Sequence, residues 1–222
     1  MNGRHELKFC INFVDYMQLR ARLRGVAQLD ENAEADGAYK VRSLYFDNYS
    51  DKAVTEKLSG QSWREKFRIR YYKDDKSRIK LEKKSKVNRM CYKESAGLTL
   101  NQCEALLAGD YKLLKNSNHP LHNELYAKMQ FQNLRPTNVL DYRREAYVYP
   151  TGNVRITVDR GIRTSNSVTG FFDSELTTIP ATPEIILEIK YDGFLPDVIR
   201  DIVQIGWRSQ AEFSKYVVAR LV

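Results

Sequence analysis

The sequence has few cysteines and no long hydrophobic run. Its three cysteines, Cys10, Cys91 and Cys103, form no C-x-x-C pair, which favours free thiols in a reducing compartment over a disulfide framework. No stretch approaches the ~18 apolar residues that a membrane-spanning helix needs, and the N-terminus has no apolar signal segment. We therefore expect a cytoplasmic protein without a transmembrane segment.

The common short catalytic motifs are also missing. The chain contains no Gly-x-Gly pair, no Walker A spacing, no Gly-x-Ser-x-Gly and no His-Glu-x-x-His, which argues against several common enzyme classes. It shows no internal repeat, low-complexity tract or linker. Its 222 residues are enough for a substantial core, so we predict a single domain covering residues 1–222.

Positive charge is what the sequence has in excess. The 36 lysines and arginines outnumber the 28 acidic residues, and the net charge is +8. Between Lys76 and Lys93 the chain has eight cations and a single acid, Glu82. Such a run is usually a solvated face when taken alone, but the excess over the whole chain indicates a polyanionic partner.

Alternating residues predict a hairpin at residues 65–84. In the first strand Lys66, Arg68 and Arg70 share one parity, opposite a mainly apolar parity, and this period of two is typical of a strand with two different faces. After a turn, residues 79–84 alternate in the same way. Because a slip of one residue exchanges the faces, the pattern leaves the register of Lys80, Lys83 and Lys84 open.

The same alternation recurs along the chain. Strands near residues 6, 68, 82, 144, 155 and 188 each carry an arginine or lysine on one face. One such strand is ordinary, but together they predict an α+β fold: an antiparallel β-barrel with a polar, basic interior and helices packed outside. Interior cations repel one another and lose hydration, so a bound polyanion would be needed to compensate them.

Helical spacing and capping residues predict the remaining elements. We expect helices near residues 15–26, 50–58, 99–107, 121–131 and 196–205, the first capped by Asp15 and the third by Thr99. Residues 161–172 are interpreted as a short irregular hairpin. Tyr45 and Tyr216 are interpreted as packing residues.

Several motifs, in this order and spacing, resemble the VTC domain. They are Arg4-x-Glu6-x-Lys8, Ser43-x-Tyr45-Phe46-Asp47, Arg68-x-Arg70, Tyr142-x-Arg144, Val154-Arg155-Ile156, Glu188-x-Lys190 and Ser214-Lys215-Tyr216. The VTC domain is the polyphosphate polymerase module of vacuolar transporter chaperone complexes and has free-standing bacterial relatives. It belongs to the CYTH, or triphosphate tunnel metalloenzyme, superfamily.

The resemblance implies a tunnel in which cations bind a phosphate chain, and it implies roles for individual residues. The catalytic cations it implies are Lys8, Arg68, Arg70, Arg144 and Arg155. Further phosphate or nucleotide contacts are implied at Arg4, Lys84, Tyr142, Lys190, Ser214 and Lys215. The metal ligands it implies, for Mn²⁺ or Mg²⁺, are Glu188 and, as a weaker candidate, Glu6.

The implied activity is a metal-dependent transfer of the γ-phosphoryl group of ATP to a growing polyphosphate chain. The chain departs from the superfamily at one position that concerns this activity. Hydrolases of the superfamily carry E-x-E-x-K on the first strand, and this chain has Arg4 at the first position of that motif. Losing that carboxylate favours transfer over hydrolysis. A tripolyphosphatase of the same fold remains an alternative.

A non-catalytic module that binds polyphosphate, inositol polyphosphate or nucleic acid is the third possibility. Nucleic acid is disfavoured because Phe67, Ile69 and Tyr71 lie on the parity opposite the basic residues of their strand, whereas single-strand binders mix aromatic residues with cations. The resemblance implies ATP and polyphosphate as partners. A membrane-protein partner and the oligomeric state are left open.

Overall fold

The computed structural model describes residues 4–88, 90–204 and 210–222, which form strands and helices of an α+β fold. The strands are β1 His5–Ile11, β2 Gln28–Leu29, β3 Ala38–Asp47, β4 Trp63–Tyr72, β5 Ile79–Val87, β6 Met90–Leu98, β7 Arg135–Tyr149, β8 Val154–Ser165, β9 Ile179–Pro180 and β10 Ile185–Tyr191. The helices are α1 Phe13–Arg24, α2 Lys52–Leu58, α3 Leu100–Leu107, α4 Pro120–Phe131, α5 Asp197–Val203 and α6 Lys215–Arg220. Among these, no helix has both the length and the hydropathy that crossing a membrane requires.

The strands belong to one sheet with the order β1-β10-β8-β7-β3-β4-β5-β6, to which β2 and β9 are added by pairing with β7 and β8. The pairs with a defined register, such as β1 with β10 and β4 with β5, are antiparallel. An antiparallel sheet can bury one face and keep the other polar, which is the arrangement that the alternating sequence predicts.

The chain divides into two compact units, and the boundaries fall within β3, β7, β8 and α6 and between β9 and β10. Unit 1 comprises the described residues of Met1–Lys40, Tyr142–Ile162 and Thr182–Lys215. Unit 2 comprises those of Val41–Asp141, Arg163–Ala181 and Tyr216–Val222. That all of them form one domain stays a prediction.

Unit 1 has a hydrophobic core between its strands and two helices. Helix α1 contributes Leu19 and Leu23, and α5 contributes Ile199, all fully buried against strand residues such as Ile156 and Ile189. The strand residues are those of the apolar parity. Burial of such side chains stabilises the fold by about 1.5–3 kcal/mol each.

Unit 2 has a separate core of the same construction. Helices α3 and α4 contribute Leu106 and Leu125, which pack with Ile69 of β4 and Leu81 of β5. The Thr99 side chain accepts a hydrogen bond from the backbone of Gln102 and forms a capping box with it, so the predicted cap of α3 is confirmed.

Two sequence-based predictions of local structure are wrong. Helix α1 is capped by Asn12 instead of Asp15, because Asp15 is the third helical residue and completes a capping box with Asn12. Residues 161–172 do not form a hairpin: β8 continues to Ser165, and Val168–Phe172 is a 3₁₀ helix. The predicted end of α5 near residue 205 lies outside the described residues.

The register of β4 and β5 decides the face of each lysine. Lys80 lies opposite Arg70 and Lys84 opposite Lys66, on the polar face, whereas Lys83 lies opposite Phe67 on the other face. There the Lys83 ammonium group is 2.5 Å from a carboxylate oxygen of Glu124 in α4. This ion pair therefore connects helix α4 to strand β5 of the sheet.

Candidate functional site

A group of charged side chains occupies the polar face of unit 1, and we call it the Glu188 cluster. Its members are Glu6, Lys8, Arg144, Asp159, Glu188, Lys190 and Lys215. Register places Glu6 opposite Lys190 and Lys8 opposite Glu188. The period of two and this pairing bring all four side chains to one face.

Glu188 is buried between two ammonium groups. Its carboxylate oxygens lie 2.7 Å from Lys190 Nζ and 3.5 Å from Lys8 Nζ. Burial opposes its ionisation, but Lys190, Lys8 and other nearby cations hold the pKa of Glu188 well below its usual range. Burial likewise opposes the charge of Lys8, whereas Glu188 and Glu6 raise its pKa. Both groups are therefore charged at neutral pH.

Asp159 is a second buried carboxylate of the same cluster that contacts two cations. Arg144 holds it with a two-point contact, Nε–Oδ1 2.7 Å and Nη2–Oδ2 2.8 Å, and Lys215 Nζ lies 2.7 Å from Oδ2. Burial would raise the pKa of Asp159, but these cations outweigh it and lower the value to about 2. The ring of Tyr142 lies under both Arg144 and Lys215, at 5.4 and 5.3 Å from its centroid.

Glu6 and Glu188 are the residues of this cluster that could hold a divalent cation. Both carboxylates contact the same point charge, since Lys8 Nζ is 2.6 Å from Glu6 and 3.5 Å from Glu188. Oxygen donors around a shared cation position fit Mg²⁺ or Mn²⁺, which take one or two carboxylates together with substrate phosphates. In the part of the chain that is described, no group of three or more His, Cys, Asp or Glu residues could supply a complete ligand set.

Three predicted site residues lie in unit 1 but outside the ion pairs of the cluster. Arg155 Nη2 lies 2.6 Å from Asp30 and 3.3 Å from the Tyr39 hydroxyl. Arg4 lies 2.7 Å from Asp192. Ser214 immediately precedes α6 and is half-buried. Their roles stay predictions.

The polar face of unit 2 carries a second group, the Glu82 cluster, made of Ser43, Tyr45, Arg68, Arg70, Glu82 and Lys93. Arg68 Nε donates to Glu82 at 2.7 Å, and Lys93 Nζ lies 2.5 Å from the other oxygen. Arg70, only 4% exposed, donates from Nε to Ser43 Oγ at 2.9 Å. Burial would raise the pKa of Glu82, but Arg68, Arg70 and Lys93 hold it well below its usual range.

Lys84 lies next to the Glu82 cluster in a row of lysines. It is opposite Lys66 on one side and opposite Lys93 on the other. Like charges directly opposite each other across strands are destabilising. Lys93 of this row is paired with Glu82, and the row adds positive charge beside the Glu82 cluster.

Tyr45 of the Glu82 cluster is buried, as predicted, but it also makes polar contacts. Arg68 Nη1 donates to its hydroxyl at 3.2 Å, and its ring stacks on Tyr216 with centroids 4.9 Å apart. Burial would raise the pKa of Tyr45, but Arg68, Lys66 and Arg70 outweigh it and lower the value to about 7. The phenol can therefore gain or lose a proton near neutrality.

This shift predicts a tyrosine that ionises near pH 7, measurable as tyrosinate absorbance in a pH titration. The pKa of Tyr45 in the folded protein lies below its ordinary value of 10.0. Between about pH 7 and pH 10 the folded state therefore binds fewer protons than the unfolded state. Stability should therefore rise with pH across this window and lose the contribution as pH falls through 7. The Tyr45→Phe variant should lack both the tyrosinate absorbance step near pH 7 and the rise in stability between about pH 7 and pH 10. An identical step in the variant would contradict the assignment.

The family model of the VTC domain matches residues 3–222. The chain belongs to the VTC domain family. Both clusters contain arginines and lysines of the motifs through which the sequence resembles this family. Membership of the family relates this VTC domain to polyphosphate and triphosphate chemistry.

Solved structures show which fold this VTC domain shares. The crystal structure of "a putative adenylate cyclase" from Bacillus halodurans is similar over 96% of each chain, with 14% identity and a TM-score of 0.56. The PH1819 protein from Pyrococcus horikoshii matches over 97% of each chain, with 12% identity and a TM-score of 0.48. The first likeness is one of fold alone, and it supports the predicted α+β class with an antiparallel sheet. No curated protein matches the sequence.

Sequence reasoning assigned no site role to Asp159 or Lys93 of this VTC domain. Asp159 contacts Arg144 and Lys215, and Lys93 reaches Glu82 from the next strand. A signal existed for Asp159, because it lies at the same parity as Arg155 of its strand. Lys93 had no such signal, since its neighbour across the strands depends on register.

Proposed function

We propose that this VTC domain is a polyphosphate polymerase, which transfers the γ-phosphoryl group of ATP to the end of a growing inorganic polyphosphate chain. The observation that carries the proposal is that each of two buried carboxylates, Glu188 and Glu82, lies beside several cations. In both clusters the cations outnumber the acids. Buried charge is costly unless it is compensated, and a polyanionic ligand supplies the compensation.

Phosphoryl transfer is chemistry that such clusters can promote without a covalent intermediate. An oxygen of the terminal phosphate of the polymer attacks the γ-phosphorus of ATP. The bond between that phosphorus and the β,γ-bridging oxygen breaks, and ADP leaves with the electron pair. Catalysis depends on positioning and on neutralising the charge that spreads over the equatorial oxygens.

The side chains differ in how they would bind these oxygens. A guanidinium group offers a planar fork that can bind phosphate through two hydrogen bonds, whereas an ammonium group acts as a point charge. We assign fork contacts to Arg68 and Arg70 in the Glu82 cluster and to Arg144 in the Glu188 cluster. Lys8 and Lys190 would supply point charges. Their ion pairs with acids orient the cations before phosphate arrives.

A divalent cation, Mn²⁺ or Mg²⁺, is part of the proposal. Glu188 and Glu6 would hold it, together with phosphate oxygens, in place of their shared contact with Lys8. When bound, it would neutralise charge on the phosphate oxygens of donor and acceptor. Removing metal with EDTA should therefore stop synthesis, and added Mn²⁺ should restore it.

The test is to incubate the purified protein with ATP, Mn²⁺ and a short polyphosphate primer. We expect ADP release together with polyphosphate that lengthens with time on a gel. A control without protein accounts for ATP breakdown in the buffer. Tight binding of tripolyphosphate without any turnover would overturn the proposal in favour of a binding module.

Hydrolysis is the second candidate function, because the same clusters could bind tripolyphosphate. The position that holds the first carboxylate of E-x-E-x-K in hydrolases is occupied by Arg4, which pairs with Asp192. This cation supports transfer over hydrolysis. Supplying tripolyphosphate and measuring orthophosphate separates the two, since a polymerase should release little and a triphosphatase should release it at every turnover.

A further inference from the structure

A buried threonine lies inside the Glu188 cluster and takes no part in its ion pairs. Thr157 is located on β8 between Arg155 and Asp159, at the same parity as both. Register places it directly opposite Glu188 of β10. Directly opposite residues of antiparallel strands project from the same face with Cβ atoms about 4.5–5.5 Å apart. The hydroxyl of Thr157 therefore belongs to the polar face of unit 1.

The Thr157 hydroxyl is buried but unsatisfied. The residue is only 4% exposed, and its Oγ1 has no hydrogen-bond partner within the described ranges. Leaving a buried hydroxyl without a partner costs about 1–3 kcal/mol. Native proteins rarely retain such a group without a ligand, water or function that uses it.

Another threonine of the same strand shows the ordinary solution. Thr164 is 2% exposed. Its Oγ1 donates to the Val139 carbonyl at 3.0 Å and accepts from Asn138 Nδ2 at 3.2 Å. A buried threonine of β8 can thus be satisfied by the protein itself, and Thr157 is not.

The charges around Thr157 indicate the kind of ligand it would meet. The Glu188 cluster contains four cations and three acids, so its net charge is about +1, and its cations can attract a further anion. A hydroxyl can donate a hydrogen bond to an anion without adding charge. The side chains of Lys8 and Lys190 are 21% and 36% exposed, whereas Thr157 is 4% exposed. A ligand from solvent can therefore reach these ammonium groups more easily than the Thr157 hydroxyl.

We propose that the Thr157 hydroxyl donates a hydrogen bond to a phosphate oxygen of the polyanion bound at the Glu188 cluster. Phosphate oxygens bound by the Lys8 and Lys190 ammonium groups beside Glu188 would give the hydroxyl the acceptor it lacks. Thr157 is then a phosphate-binding residue that the family motifs of this chain do not include. The inference rests on the proposed function, because it assumes a phosphate ligand.

The experiment measures tripolyphosphate binding by calorimetry and urea unfolding of the free protein. Thr157→Val removes the hydroxyl and keeps the shape of the side chain, and Thr157→Ser keeps the hydroxyl. Thr164→Val is the matched control. Thr157→Val should bind tripolyphosphate about tenfold more weakly or worse, with unchanged or higher stability in the absence of ligand. Thr157→Ser should bind like the wild type, and Thr164→Val should lose stability without losing affinity.

Two results would overturn the inference. One is a Thr157→Val protein that binds tripolyphosphate like the wild type. The other is a Thr157→Val protein destabilised as much as Thr164→Val, which would give the hydroxyl a structural role. If the wild type itself binds no tripolyphosphate, the proposed function fails as well, so the two failures can be told apart.

Discussion

Replacing Arg70 with alanine is expected to reduce polyphosphate synthesis by about 10²–10³-fold, the usual cost of removing one preorganised donor from a transition-state site. Arg70 is buried to 4% exposure and is held by Ser43, with Glu82 4.0 Å away. The fold should survive because Glu82 keeps its closer contacts with Arg68 and Lys93. ADP release and gel analysis of the polymer provide the measurement.

A matched control separates a lost contact from a lost charge. Arg78 belongs to the same unit, and its side chain is 80% exposed beside Asp75. Arg78→Ala removes the same charge from the chain and should leave synthesis unchanged. An Arg70→Ala protein as active as Arg78→Ala would remove Arg70 from the proposed site.

The largest effect on stability is expected from Asp141→Ala. Arg42 is 2% exposed and makes a two-point contact with Asp141, with distances of 2.7 and 2.6 Å. Its Nη1 also donates to the carbonyls of Phe171 and Asp173. Removing the carboxylate leaves a buried guanidinium without its counter-charge, which costs about 3–5 kcal/mol. Urea unfolding followed by circular dichroism measures the loss.

An exposed ion pair serves as the comparison for that measurement. Arg200 and Asp197 lie 2.8 Å apart, but their side chains are 59% and 81% exposed. Solvent-exposed pairs contribute little to stability, so Asp197→Ala should lose far less than Asp141→Ala. Equal losses in the two variants would show that the buried pair is no more than a surface-like contact.

The helical caps and the strand faces show what local sequence can predict. Thr99 was identified as a cap because its hydroxyl precedes an apolar helical pattern, and the structure contains that cap. Asp15 was misassigned because Asn12, three residues earlier, has the same capping chemistry. Residues 161–172 were misassigned because Gly161 resembles a turn residue, whereas β8 continues through it with a φ of +61°.

The predicted site residues divide in a similar way. Parity identified Lys8, Arg68, Arg70 and Arg144 as residues of polar strand faces, and the structure places each of them beside a buried carboxylate. Which carboxylate each cation contacts could not be read from the sequence. Tyr45 was interpreted as a packing residue, since no local pattern shows that three cations surround it.

The sequence by itself determined the excess of positive charge, the two faces of each strand and the motifs of the VTC domain. These properties are local, because side chains alternate every two residues along a strand wherever the strand pairs. Tertiary structure alone decided that Lys84 and Lys83 face opposite sides, that Asp159 joins Arg144 to Lys215, and that Thr157 lies opposite Glu188. Register and ion pairs connect residues far apart in the chain, and no local period encodes them.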